Sequence, residues 1–231
     1  MFDCGLFEMK SESQSNEAFH ALLKEFLKTA YLLTFKKGSF SVSDFASSLK
    51  RTRDEGLALL SVLKSLHMIK SVTDPPEHYS ITEGGKNNLK IVLTGGVFDI
   101  VHLGHLKTLN EAKSHGDLLF VVVASDKTVK LNKGRPPLNS QVNRIELLSH
   151  VDIVDVVREG TPDPNKFLDI VVTVKPDVIV LGYDQSLSET KLSKLLSDYG
   201  LENIEILKLE ARIPNEKSSL KIKNLDEHSF E

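Results

Sequence analysis

Two histidines three residues apart, His102 and His105, lie near the end of a glycine-containing stretch, IVLTGGVFDIVHLGHL, at positions 91–106. Side chains at positions i and i+3 of a helix project from the same side, so both rings would face one ligand. Imidazole N–H groups donate hydrogen bonds to phosphoryl oxygens, whose negative charge grows during reaction. The pair therefore predicts a catalytic role toward a phosphorylated substrate.

The residues before and after the histidines have the order of a phosphate-binding site. An apolar strand at 90–94 is followed by Gly95 and Gly96, and a helical pattern starts near Leu103. Glycine lets the backbone approach an anion closely, and the first turn of a helix points free N–H groups at it. We expect the Gly95–Phe98 backbone and the helix start to hold phosphates. An ordinary strand-to-helix turn with a solvated histidine pair is the alternative.

The run GGVFDIVHLGH resembles the HxGH signature of the nucleotidyltransferase superfamily, the cytidylyltransferase-like enzymes, and the archaeal FAD synthases in particular. The resemblance implies attack of a substrate phosphate oxygen on the α-phosphorus of a nucleoside triphosphate, with pyrophosphate leaving. It assigns His102 and His105 to the α-phosphoryl oxygens and Lys133 to the leaving pyrophosphate. The nucleotide-binding residues that it implies in this stretch are Gly95, Gly96, Val97, Phe98, Asp99, Leu103 and Gly104.

A basic segment, KLNKGRPPLNSQVNR, follows the next apolar strand. We interpret it as a loop in which Lys130, Lys133 and Arg135 bind a triphosphate, with a solvated basic loop as the alternative. Arg144, in the helix that follows, is a further candidate for a bidentate phosphate clamp. In the family an aspartate precedes such a loop, which implies that Asp126 binds the nucleotide.

Two later segments complete the predicted site. LGYDQ resembles the LGxDQ segment of archaeal FAD synthases, which implies nucleotide contacts at Gly182, Tyr183 and Asp184. An Asx turn at Asp184 is the alternative. The segment near residue 212 departs from the R-T-x-G-I-S-T-T of many superfamily members because the glycine is missing, but SSLKI resembles the ending of the archaeal FAD synthases. The phosphate contacts implied there are Arg212, Ser218 and Ser219.

From residue 89 onward apolar strands alternate with helical patterns, which favours a parallel sheet covered on both faces. Ligands bind such sheets at the carboxyl ends of the strands, near the switch in strand order. We therefore predict an α/β fold: a Rossmann-like parallel-sheet nucleotidyltransferase domain at 89–231 with a smaller N-terminal winged helix (α+β) domain. The predicted strands are 90–94, 117–124, 153–158, 177–181 and 204–209, and the predicted helices are 103–114, 141–150, 165–174 and 189–198.

The N-terminal part divides in two. Residues 1–15 are polar and serine-rich and predict a disordered tail. Residues 16–88 predict a winged helix-turn-helix-like domain, with helices at 16–35, 41–49 and 53–67 and strands at 68–72 and 78–81. Ser41 with Asp44, and Thr52 with Glu55, have the spacing of capping boxes.

Residues 1–89 contain equal numbers of basic and acidic side chains, whereas DNA-binding domains are usually basic. This balance favours a packing or dimerisation module over DNA binding. DNA binding by the third helix stays the alternative. The whole chain has 231 residues, a formal net charge of −3 and a single cysteine. The composition predicts a cytoplasmic protein without an intrachain disulfide, a signal peptide or a membrane span.

Our leading functional hypothesis is the transfer of AMP from ATP to FMN, which gives FAD and pyrophosphate, because of the GYDQ and SSLKI resemblances. A CTP-dependent cytidylyltransferase that makes a CDP-alcohol from an alcohol phosphate, such as glycerol 3-phosphate, is the alternative. A nucleotide-sensing DNA-binding regulator is an alternative of another class. We expect Mg2+ to arrive with the nucleotide, a homodimer, and no membrane partner; the sequence names no metal ligands.

Overall fold

The computed structural model describes residues 4–163, 165–182 and 188–210, with side chains from residue 16 onward except at 165 and 166. The chain divides into two compact units, Met1–Leu89 and Lys90–Glu231. In the described residues no helix combines the length and the apolar character needed to cross a membrane.

The first unit combines four helices with a small antiparallel sheet. Its elements are α1 (Cys4–Lys37), β1 (Phe40–Ser41), α2 (Val42–Ser48), α3 (Arg53–Ser65), β2 (Ile69–Ser71), β3 (His78–Ile81) and α4 (Glu83–Lys86). The sheet order is β1-β3-β2. Three helices precede the β2–β3 hairpin, which is the arrangement behind the winged-helix prediction; that assignment stays a prediction.

Aromatic and aliphatic side chains form the core of this unit. The rings of Phe40 and Phe45 stack with centroids 5.8 Å apart, and Leu27 of α1 and Leu60 and Leu63 of α3 are fully buried. Both predicted capping boxes are confirmed, at Ser41 for α2 and at Thr52 for α3.

Helix α1 begins at Cys4, so the prediction of a disordered tail at 1–15 was wrong for residues 4–15. Residues 6–37 contain neither glycine nor proline, and Glu, Lys, Met and Gln have high helix propensity. The helix ends where Gly38 adopts a φ of +80° and donates to the Thr34 carbonyl at 2.7 Å.

In its described residues the second unit contains a five-stranded parallel sheet in the order β6-β5-β4-β7-β8, which confirms the predicted Rossmann-like α/β class. Its elements are β4 (Ile91–Gly96), α5 (Leu103–Ser114), β5 (Leu118–Val123), α6 (Asp126–Lys133), α7 (Gln141–Ser149), β6 (Val156–Glu159), α8 (Asn165–Val174), β7 (Val178–Leu181), α9 (Glu189–Ser197) and β8 (Glu205–Lys208). Helix α6 was not predicted.

The order of the strands reverses between β4 and β7, so the carboxyl ends of these two strands flank the expected ligand crevice. The buried Thr94 hydroxyl donates to the Val180 carbonyl at 2.8 Å and joins the two strands just below that edge. All six residues of β5 are buried, as expected of an inner strand in a parallel sheet. Gly95 and Gly96, predicted to follow β4, are its last two residues, so the glycine turn (Gly95–Phe98) starts within a rigid central strand.

Candidate active site

The turn after β4 depends on two residues that fit together. A Cβ atom at Gly96 would lie 2.7 Å from the Phe98 ring, closer than real Cβ contacts. Phe98 is buried and adopts a φ of +53°, in the left-handed region that favours glycine. Gly96 thus leaves room for the Phe98 ring, and the turn directs that ring toward the start of α5.

The two histidines lie side by side at the N-terminus of α5. Their ring centroids are 4.0 Å apart, and the His105 ring also contacts the Phe98 ring at 5.2 Å. His102 is the N-cap residue, and its Nδ1 accepts a hydrogen bond from the Gly104 N–H at 3.1 Å. Because Nδ1 accepts, the ring proton of a neutral His102 is on Nε2, which is a buried atom.

The Asp99 carboxylate holds a neighbouring segment of the chain. It is 4% exposed, and its two oxygens accept hydrogen bonds from the backbone N–H groups of Leu138 and Asn139, at 3.1 and 2.9 Å. The Arg135 Nη1 lies 3.6 Å from Asp99 Oδ2. These contacts favour a role for Asp99 in positioning the segment before α7, rather than the direct nucleotide contact that the sequence predicts.

The basic residues are carried by a helix, so the prediction of a loop was wrong for Lys130 and Lys133. The Ser125 side chain caps the start of α6, and Gly134 ends the helix with a φ of +72°. Lys130 and Lys133 lie in its last turn and are exposed. The exposed ammonium groups are free to meet an anionic ligand in solution, whereas the Arg135 Nη1 also donates to the adjacent Pro136 carbonyl at 3.0 Å.

Arg144 is not available as a phosphate clamp, because its side chain is 1% exposed and bonded within the protein. It donates to the carbonyl oxygens of Val97, Ala124 and Asn139 and to the Asp126 carboxylate. Asp126, predicted to bind the nucleotide, is therefore paired with Arg144, at 2.6 Å, although half of its side chain stays exposed.

The structure brings most of the predicted residues to one edge of the sheet. The glycine turn, the histidine pair and the start of α6 follow the carboxyl ends of β4 and β5, and Gly182 directly follows β7. The predicted site residues that lie outside the described ranges are Tyr183, Asp184, Arg212, Ser218 and Ser219. Sequence reasoning missed Asn139, whose side-chain amide donates to the Asp99 carbonyl at 2.7 Å, because no local pattern marks that residue.

Within 4–163, 165–182 and 188–210, no three His, Cys, Asp or Glu side chains are grouped so that they could hold a metal ion. The predicted site residues near the carboxyl ends of β4 and β5 instead include two imidazoles and the two exposed lysines of α6. Such a set of donors suits phosphate oxygens.

The sequence profile of the cytidylyltransferase-like family matches residues 93–225. The chain belongs to the cytidylyltransferase-like family. It is similar to the FAD synthase of Pyrococcus horikoshii, with 44% identity over 126 residues that cover 54% of this chain and 83% of that protein. The FAD synthase of Thermoplasma volcanium is 37% identical over 137 residues, which cover 58% of this chain and 94% of that protein.

A solved structure agrees with this membership. The crystal structure of the lipopolysaccharide core biosynthesis protein from Thermoplasma volcanium GSS1 has 37% sequence identity and a TM-score of 0.51, and the match covers 54% of this chain and 99% of that chain. As a cytidylyltransferase-like protein the chain is a nucleotidyltransferase, which confirms the predicted superfamily and reaction class.

Proposed function

We propose that this nucleotidyltransferase transfers the AMP group of ATP to FMN. The main support is the pair of imidazoles at the N-terminus of α5, beside the glycine turn, whose ring centroids are 4.0 Å apart. The FAD synthase relatives, at 44% and 37% identity over most of their own lengths, support FMN as the acceptor. The GYDQ and SSLKI segments of the sequence support the same choice.

In the proposed reaction an oxygen of the FMN phosphate attacks the α-phosphorus of ATP. A phosphoanhydride bond forms between FMN and AMP, the bond between the α- and β-phosphates breaks, and pyrophosphate leaves with its electron pair. The attacking phosphate is already ionised at pH 7, so no covalent enzyme intermediate is needed. Catalysis then depends on positioning and on stabilisation of the charge that develops.

Each part of the site has a role in this scheme. The backbone of the Gly95–Phe98 turn and the first turn of α5 hold phosphate oxygens. His102 and His105 donate to the α-phosphoryl oxygens, and Lys133, with Lys130 nearby, receives the leaving pyrophosphate. The substrate is the magnesium complex of ATP, because Mg2+ is commonly held by phosphate oxygens, waters and few protein groups.

A panel of four substrate pairs tests the proposal: ATP or CTP, each with FMN or glycerol 3-phosphate. Pyrophosphate release and chromatography of the products are measured in every reaction. We expect FAD and stoichiometric pyrophosphate from ATP with FMN alone. A CDP-alcohol from CTP and glycerol 3-phosphate would instead establish the alternative cytidylyltransferase.

We further propose that residues 16–88 form a winged-helix unit that serves dimerisation rather than DNA binding. Leu57 and Val62 on α3, and Leu66 at its C-cap, are each more than 40% exposed, and exposed apolar side chains suit protein contacts better than phosphates. Sedimentation velocity tests this, with a dimer expected for the full chain and a monomer for residues 90–231.

A further inference from the structure

Arg144, on α7, joins four segments of the second unit. Its Nη1 donates to the Val97 carbonyl of the glycine turn at 2.5 Å, and its Nε donates to the Asn139 carbonyl at 3.0 Å. Its Nη2 donates to the Ala124 carbonyl after β5 at 2.8 Å, and to Asp126 Oδ1 at the start of α6 at 2.6 Å. One planar group therefore fixes the turn, the end of β5, helix α6 and the segment before α7 relative to one another.

Asp99 makes a second connection between two of these segments. Its carboxylate accepts the Leu138 and Asn139 N–H groups, and the Asn139 side-chain amide donates back to the Asp99 carbonyl at 2.7 Å. We call Asp99, Asn139 and Arg144 the polar clamp. Asp99 and Arg144 are buried, so their bonds are shielded from water and keep a defined geometry.

We propose that the polar clamp is a positioning device for nucleotidyl transfer, with Arg144 at its centre. The clamp holds the histidine pair, which follows the glycine turn, at a fixed distance from the basic residues of α6 before any substrate binds. This inference rests on the proposed function, in which the two groups act on adjacent phosphates of one triphosphate. Charge stabilisation of that kind depends on donors held to within a fraction of an ångström.

A lysine cannot replace the guanidinium here, because an ammonium is a point charge with at most three donors and no planar fork. The Arg144→Lys variant therefore keeps the positive charge beside Asp126 but loses part of the clamp. Gln141, three residues earlier on α7, supplies a matched control. Its Nε2 donates to the Val123 carbonyl at 2.9 Å and to the Gly160 carbonyl at 2.8 Å, outside the clamp.

The test compares Arg144→Lys with Gln141→Met in the full chain. We expect Arg144→Lys to lower kcat for FAD formation by tenfold or more, with the KM for ATP changed by less than threefold. We expect Gln141→Met to lower the Tm by a similar amount and to leave kcat within twofold of the wild type. Equal effects of both variants on kcat would overturn the positioning role.

Hydrogen exchange of the free protein, followed by mass spectrometry, supplies a readout without substrate. In Arg144→Lys the amides of 95–105 and 134–140 should exchange at least fivefold faster, and in Gln141→Met they should not. Unchanged exchange in Arg144→Lys would overturn the clamp itself. If the wild type makes no FAD, the proposed function fails while the exchange result still decides the clamp. Should Arg144→Lys not fold, Asn139→Ala, at an exposed residue, removes one clamp bond for the same comparison.

Discussion

Phe98 connects the glycine turn to a candidate catalytic ring. The Phe98 ring fills the space above Gly96 and contacts the His105 ring. The orientation of that imidazole therefore depends on the absence of a Cβ atom at position 96. The sequence shows the glycine but not its contact with the Phe98 ring, because that contact depends on the φ of +53° at Phe98, which folds the ring back onto the strand.

The Gly96→Ala variant tests this dependence. The added methyl would force the Phe98 ring to move, and such overpacking costs about 1–3 kcal/mol of folding free energy. We expect turnover to fall at least tenfold, because the His105 ring loses its support. Thermal unfolding and steady-state rates are the measurements.

Gly84→Ala is the control for that variant. A Cβ there meets nothing nearer than the Thr82 hydroxyl at 3.6 Å, an ordinary contact, and alanine is the better helix former in α4. A Gly96→Ala enzyme as stable and active as Gly84→Ala would contradict the tight fit described for the turn.

The His105→Ala variant tests the role proposed for the imidazole pair. Loss of one donor to a developing oxyanion typically lowers the rate about a hundredfold or more. We expect that loss in kcat, with the Tm changed little, since His105 is half-buried at the start of a helix. His150→Ala, at the exposed C-cap of α7, should keep wild-type activity. Near-wild-type turnover of His105→Ala would reject the assignment.

At the scale of the elements, the capping box of α2 couples helix stability to pH. The Asp44 side chain accepts hydrogen bonds from Lys37 at 2.6 Å and from the Ser41 N–H at 2.9 Å. The Lys37 hydrogen bond, with those from Ser41, holds the pKa of Asp44 well below its usual 3.8. A depressed carboxyl pKa contributes stability above pH 4, and that contribution is lost as the pH falls toward the folded-state pKa.

Asp44→Asn should therefore weaken α2 at pH 7 by a few tenths of a kcal/mol to about 1 kcal/mol, and by progressively less below pH 4. Protection factors of the α2 amides at pH 7 and pH 3 measure the difference. Asp54→Asn, at an exposed residue of α3, is the control for the removal of one surface carboxylate. A difference for Asp44→Asn that stays constant down to pH 3 would contradict the pKa shift.

The elements also show what sequence patterns predict and what they miss. The predicted helix at 165–174 has the observed bounds of α8, because a broad apolar face gives a strong helical period. Helix α6 was missed because its one buried residue, Val129, gives no period, although Ser125 and Gly134 mark both of its ends. The capping residues alone therefore indicate this helix in the sequence.

The residues of the predicted site show the same contrast between local patterns and distant contacts. The glycine turn and the histidine pair could be predicted because they form one contiguous motif on a strand, a turn and a helix. The position of Arg144 could not, because its partners, three carbonyl groups and the Asp126 carboxylate, come from four separate segments of the chain. A basic residue in a helix looks the same in sequence whether it faces solvent or these carbonyls.

At the scale of the whole molecule, the family match at 93–225 lies within the second compact unit. All the predicted site residues lie in that unit too. A protein of residues 90–231 should therefore retain FAD formation within about threefold of the full chain, measured as kcat/KM for ATP. A loss of a hundredfold or more, in a fragment with native-like circular dichroism, would instead mean that the first unit takes part in catalysis.

His102 combines two tasks that most helices give to different residues. Its Nδ1 accepts from the Gly104 N–H and so caps the start of α5, while its Nε2 carries the proton proposed for the substrate. The His102→Ala variant would therefore lose both the helix cap and the donor, so a lower kcat would have two causes. Asparagine keeps an acceptor for the Gly104 N–H and removes the Nε2 donor, so the His102→Asn variant separates helix capping from donation to the substrate.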